Sequence, residues 1–133
     1  ITLGPAVLGP NCNFDQLWVV GAGAVDAGWG WASPIQITCT GTGVYQGNIN
    51  LTNDAFRLFT DKTLEWGSPS YNFPHYADAG YAIDANFENA ADGDQNFKFV
   101  GTPGTYFLSI DDVNKTITLT PEQSLCEFDQ LWL

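Results

Sequence analysis

The chain has 133 residues, enough for one domain with a real core, and its 44% hydrophobic and 14% aromatic content excludes a disordered tail or linker. Its 15 acidic residues against four basic ones give a formal net charge of -11 at pH 7. That field repels phosphate backbones and anionic membrane surfaces, so nucleic acid is not an expected partner; neutral ligands and cations suit it better.

The first residues gain meaning from a repeat. Residues 12 to 18 read Cys-Asn-Phe-Asp-Gln-Leu-Trp, and residues 126 to 132 read Cys-Glu-Phe-Asp-Gln-Leu-Trp, at an offset of 114 residues (126 minus 12). Ile1-Thr2-Leu3 likewise echoes Ile117-Thr118-Leu119. Self-similarity of this kind marks a tandem array. The expected organisation is the end of a preceding repeat plus linker at 1–11, a complete β-sandwich module at 12–120, and a linker with the first strand of the next repeat at 121–133. The other reading is a duplicated edge strand within one domain. On either reading, the terminal segments invite strand exchange with neighbouring repeats of the same protein. The segment is read as mature or excised, because it starts at Ile1 and shows no leader pattern.

Strand patterns then follow in order. Phe14 to Val20 is rich in aromatic and β-branched residues and stops at Gly21. Pro34 to Thr40, Gly43 to Leu51 and Ala55 to Phe59 alternate apolar and polar positions; in the last, Phe56 and Leu58 share one face, Arg57 and Phe59 the other. Residues 60 to 94, rich in aromatic, Asp and Asn residues, read as a long loop region, of the kind that is functional or locally packed. Asn96 to Val100 alternates again. Thr105 to Asp111 and Lys115 to Leu119 flank Asp112-Val113-Asn114, a hairpin turn. With no sustained helical period, the expected class is all-β, an immunoglobulin-like antiparallel β-sandwich of about seven or eight strands. Trp18, Phe56, Phe97, Phe99 and Tyr106 read as core.

The repeat also sorts the three cysteines. Cys12 and Cys39 belong to one module and are expected to form a disulfide, with Cys126 the first cysteine of the next copy; three buried free thiols are the other reading. Asp92-Gly93-Asp94-Gln95-Asn96 reads first as a solvated turn; it also offers Asp92 and Asp94 to a Ca²⁺ ion, though it departs from an EF-hand loop. No other cofactor is expected. The lone His75 has no Gly-x-Ser-x-Gly partner, and no phosphate loop or dinucleotide fingerprint occurs, so the chain is not expected to be an enzyme.

In sequence, Leu17-Trp18-Val19-Val20-Gly21, Ala27-Gly28-Trp29, Gly43-Val44-Tyr45, Phe56-Arg57-Leu58, Tyr71-Asn72-Phe73-Pro74, Asp92 to Phe99, Pro103-Gly104-Thr105-Tyr106 and Asp112 to Leu119 succeed one another. This order resembles the SusE/SusF family of tandem starch-binding surface lipoproteins of Bacteroidota, from Leu17 to Leu119. The resemblance implies an immunoglobulin-like sandwich, an extracellular or outer-membrane surface location, and a non-catalytic module holding α-glucan on an aromatic platform beside an Arg or Lys. Such a platform works because aromatic faces match the C–H face of a pyranose while polar side chains bond its hydroxyls. The candidate ligand-binding residues are Trp31, Trp66, Arg57, Trp29, Tyr71 and Lys62. Trp29 also reads as a cap on the core, and Arg57 as half of a surface salt bridge with Glu65 or Asp61. Tyr71, Phe73 and Tyr76 read also as packing of the loop region. The alternatives to a polysaccharide-binding module are a structural or adhesive repeat of an extracellular filament and a Ca²⁺-dependent protein-binding module.

Overall fold

The computed structural model describes residues 12–121; the preceding and following segments, with the repeat assigned to them, lie outside the described residues. Period-2 alternation creates the first strand, β1 (Gln16–Val20): Leu17 and Val19 point inward and are buried, while Trp18 points to the other face. β2 (Ile35–Cys39), β3 (Val44–Leu51) and β4 (Ala55–Phe59) follow the same rule. A 3₁₀ turn (Lys62–Gly67), β5 (Ser70–Tyr71), the short helix α1 (Phe73–Ala77), β6 (Ala82–Ile83) and β7 (Phe87–Asn89) fill the region read as a loop. β8 (Phe97–Phe99), β9 (Gly104–Asp111) and β10 (Thr116–Pro121) complete the chain.

The class is all-β. All ten strands lie on one hydrogen-bonded sheet, ordered β6-β10-β9-β3-β2-β1-β4-β8-β7, with β5 on β4. Every pairing is antiparallel except β10 with β6. The ends of this path, β6 and β7, are consecutive in the chain, and residues 84 to 86 join them. Asp84 N–H donates to the Ile117 carbonyl at 2.8 Å, its Oδ2 accepts from Leu119 N–H at 3.0 Å, and the Asn86 carbonyl accepts from Val100 N–H at 2.8 Å. The sheet thereby curls into a near-barrel whose two end strands are joined directly by the chain.

The interior is aromatic at one side. Phe56 stacks on Phe97 at 5.3 Å, and Phe87 meets both edge-on. Leu17, Ile37, Ile49, Leu58, Leu108, Ile110 and Ile117 fill the rest, each almost wholly buried. Gly21 permits one close approach: with φ +148°, an added Cβ would lie 2.4 Å from Phe56 Cα. Between β9 and β10, Asp111 Oδ1 accepts from Val113 and Asn114 N–H, each at 2.9 Å, and sets the hairpin.

Trp18 is not core. It occupies the outward phase of β1, between buried Leu17 and Val19, and Lys62 Nζ lies 4.8 Å from its ring centroid. Tyr106 is half-buried and packs on Phe99 at 5.4 Å. Cys12 and Cys39 are joined by a disulfide at a Cα–Cα distance of 6.2 Å. Closing a loop of that separation, 27 residues, restricts the unfolded chain by about 3–4 kcal/mol.

Two stability measurements check these assignments. Replacing both Cys12 and Cys39 by Ser should lower the unfolding free energy in urea by about 3–4 kcal/mol; a loss under about 1 kcal/mol would show that the bridge does not constrain this module. Phe97→Ala should cost about 3–5 kcal/mol, whereas Val113→Ala, at 70% exposure, should stay within about 0.5 kcal/mol. Equal losses would contradict this packing.

Candidate functional site

β1 and β4 lie side by side, with Trp18 opposite Phe59 and Val20 opposite Arg57. These four are the outward residues of the pair. Two segments then fold over them. The first runs from Gly21, whose N–H bonds the Gly28 carbonyl at 2.8 Å, and carries Trp29 and Trp31. The second is the 3₁₀ turn with Trp66. Asp61 caps it, its Oδ1 accepting from Thr63 N–H at 2.9 Å, and the Ser68 hydroxyl accepts from Thr60 and Asp61 N–H. Thr63 hydrogen bonds hold the Asp61 carboxyl below the usual range. Glu65, at φ 52° and ψ -125°, breaks the helical path immediately before Trp66. An L residue held there is strained, so the surrounding bonds fix where Trp66 emerges.

The result is an aromatic cluster on the outside of the barrel. Phe59 is buried at its base. Trp31 packs edge-on against Phe59 at 4.9 Å and against Trp66 at 5.6 Å. Trp66 meets Phe59 at 5.8 Å, and Trp29 lies 6.3 Å from Trp66 at an interplanar angle of 31°. Trp29 and Trp66 remain 46% and 56% exposed, and lie together rather than scattered singly. The Trp31 indole N–H is buried without an acceptor among the described residues.

Beside the indoles lies Arg57. Its Nε donates to Ser70 Oγ at 2.9 Å and its Nη1 to Asn96 Oδ1 at 3.0 Å. Its ionic partner is Asp94, at 3.9 Å, rather than Glu65 or Asp61. Asp94 is largely exposed, so this pair adds little stability. Trp29, Trp66, Arg57, Ser70, Asp94 and Asn96, over Phe59, line an open groove of about 260 Å³. Two apolar ring faces beside a fixed guanidinium fork, an amide and a carboxylate match a neutral polyol with an apolar face.

Of the six expected ligand residues, Trp29, Trp31, Trp66 and Arg57 converge, with Trp31 as a buttress. Lys62 stands next door, over Trp18, in a separate shallow groove of about 560 Å³ that Gln16 and Thr63 also line. Tyr71 is elsewhere: it pairs with Leu58 in register and lies on the inner side of the sheet. Ser70 and Asn96 were missed, since isolated Ser and Asn carry no signal until pairing sets them beside Arg57. Among the described residues no three His, Cys, Asp or Glu side chains group as metal ligands. Both Asp92 oxygens are occupied by Asn96, which donates from its backbone at 3.0 Å and from its side chain at 2.9 Å and holds the Asp92 carboxyl below its usual range.

A second cavity, of about 300 Å³, opens at the end of the barrel where β3 begins and β9 ends. Tyr45, Tyr71, His75, Tyr76, Tyr81 and Asp112 line it. Asn72 caps α1, its Oδ1 accepting from His75 N–H at 3.0 Å, and so places His75 and Tyr76 at the opening. Tyr71 stacks on His75 at 4.0 Å, and the Tyr81 hydroxyl donates to Asp112 Oδ1 at 2.6 Å. Burial raises the hydroxyl pKa of Tyr45, Tyr71, Tyr76 and Tyr81, with the Asp112 charge adding to it, and burial lowers that of His75.

No protein-family model, curated protein or solved structure matches the chain.

The titrating groups predict two flanks of instability. Above pH 10, unfolded tyrosines lose protons that the folded cluster keeps, so stability falls as pH rises past the ordinary value of 10.0. Below 6.5, unfolded His75 binds a proton that the folded chain resists, so stability also falls with acid. The midpoint temperature should decline on both sides, and the tyrosinate absorbance of Tyr45, Tyr71, Tyr76 and Tyr81 should rise steeply only as the chain unfolds. Smooth ionisation of all tyrosines near pH 10 in the folded protein would rule out the buried cluster.

Proposed function

We propose that the domain is a non-catalytic glycan-binding module, with the Trp29–Trp66 groove as its platform. One observation carries the reading: two half-exposed indoles, 6.3 Å apart, share a groove with an arginine that Ser70 and Asn96 already hold in place. A sugar ring bound there would stack on the indoles and take hydrogen bonds from Arg57, which would pay little further ordering entropy. Starch-type α-glucan is the chosen ligand because of the resemblance to the SusE/SusF family. The same resemblance supports the immunoglobulin-like description of the fold, membership of a tandem array and a place at the cell surface. The Cys12–Cys39 bridge supports an oxidising, extracytoplasmic compartment.

Affinity electrophoresis through amylopectin, laminarin and xylan tests this. Migration should be retarded in amylopectin. Trp66→Ala should weaken binding about tenfold, or about 1.4 kcal/mol, while Trp18→Ala, outside the groove, should bind as the parent does. Trp31→Ala should weaken it less directly, by loosening Trp66. Retardation by laminarin or xylan alone would replace the glucan assignment but keep the platform. Unretarded migration in all three would overturn glycan binding in favour of a structural repeat.

A further inference from the structure

We propose that the open end of the barrel is a second binding site, for a small organic cation of the alkylammonium class. It is distinct from the tryptophan groove: Arg57 points outward from β4, whereas Tyr71 pairs with inward-facing Leu58. The cavity of about 300 Å³ has room for a group the size of choline.

Three observations point to a cation. First, Asp112 and His75 are the titratable non-tyrosine groups lining the cavity, and no Lys or Arg lies within ion-pair distance of Asp112 among the described residues. Lys115 turns instead to the Ala79 carbonyl, 3.3 Å away. Asp112 is anchored on one oxygen by the Tyr81 hydroxyl at 2.6 Å, so the carboxylate is fixed before any ligand arrives. Second, Tyr76 is only 2% exposed yet lines the cavity, and no protein hydrogen bond engages its hydroxyl among the described residues. A hydroxyl on a cavity wall with no protein partner is one that a ligand or water entering the cavity can bond. Third, aromatic rings surround the opening: Tyr71 and His75 stack, and Tyr76 stands edge-on to Tyr71, His75 and Tyr81. Ring faces attract cations, and more so once water is displaced.

Charge decides between ligand classes. An anion would meet Asp112 and a net charge of -11. A neutral polyol would use the hydroxyls but leave the carboxylate uncompensated. An ammonium group satisfies Asp112, donates to hydroxyl or imidazole acceptors and lies against the rings. His75, kept neutral by burial, then acts as an acceptor rather than a competing charge.

The experiment is an NMR titration of the whole chain at constant ionic strength. The probes are choline, tetramethylammonium and n-butylammonium, with 3,3-dimethyl-1-butanol as the neutral isostere of choline. The cations should shift amides at Tyr71, His75, Tyr76 and Asp112, and the isostere should bind at least tenfold more weakly. Asp112→Asn, which keeps an acceptor for Tyr81, should weaken every cation about tenfold. Tyr76→Phe, which removes only the hydroxyl, should weaken n-butylammonium more than tetramethylammonium. Equal binding of cation and isostere, an unchanged affinity in Asp112→Asn, shifts centred on Trp29 and Trp66, or no shift with any cation would each overturn the proposal. Glycan retardation of the same samples reads the other groove separately.

Discussion

Alternation along β4 is the constraint on which both faces of the molecule depend. Phe56 and Leu58 enter the core, while Arg57 and Phe59 point away from it. In most strands of a closed sheet the outward phase meets water. Here Phe59 is only 3% exposed, because the tryptophan segments cover it. Val20 beside it, on the same face of β1, is wholly buried as well. The strand pair is therefore sandwiched between two apolar layers, and the outer layer exists only because its aromatic cap comes from two loops. A one-residue slip of β4 against β1 would put Arg57 in the core and Phe56 on the surface. Stacking of Phe56 on Phe97 resists that slip.

The outer layer is small, and its members do unequal work. Trp31 meets both Phe59 and Trp66 edge-on and does not line the groove, so it sets the tilt of Trp66. Glu65 reinforces this from the backbone, since its unusual conformation is affordable only where capping at Asp61 and the Ser68 bonds hold the turn on either side. Arg57 is held by neutral partners on two strands' ends rather than by a close carboxylate. A guanidinium so placed retains its charge for a ligand, whereas a bidentate carboxylate would have neutralised it.

Much of this was legible in the residues. The seven long strand patterns fall within a few residues of β1, β2, β3, β4, β8, β9 and β10, because period-2 burial is written directly into the side chains. β5, β6 and β7 were not: β5 and β6 have two residues each, and β7 buries only Phe87, whereas three-residue β8 shows Phe97 and Phe99 on either side of Lys98; α1 is one turn long with its cap in a single Asn72. Trp18 misled because it sits in an apolar run in which Leu17, Val19 and Val20 are all buried; only the covering of Val20 from outside explains that run. Four of the platform candidates met in space because Gly-flanked tryptophans and a lone outward arginine are strong local signals. Tyr71 went elsewhere because its phase is set by the Leu58 pairing, a contact that sequence spacing does not encode.

The Cys12–Cys39 bridge matters to more than stability. It lies at the foot of β1 and ties the segment that leads into it to β2. Within that segment Phe14 N–H bonds the Tyr45 hydroxyl at 3.2 Å, and the Asp15 carbonyl accepts from Cys39 N–H at 2.8 Å. Asn13 and Phe14 then form a shared wall, lining the tyrosine cavity on one side and the Trp18–Lys62 groove on the other. Without the bridge, two hydrogen bonds of about 1 kcal/mol each would hold that wall, against a backbone ordering cost of about 1–2 kcal/mol per residue. Phe14 also packs against the core, so the bridge reinforces a wall that hydrogen bonds and apolar contact already hold. One disulfide thereby stands behind a wall shared by two cavities on opposite sides of β1, whereas the Trp29–Trp66 groove is built from β4 and its covering loops.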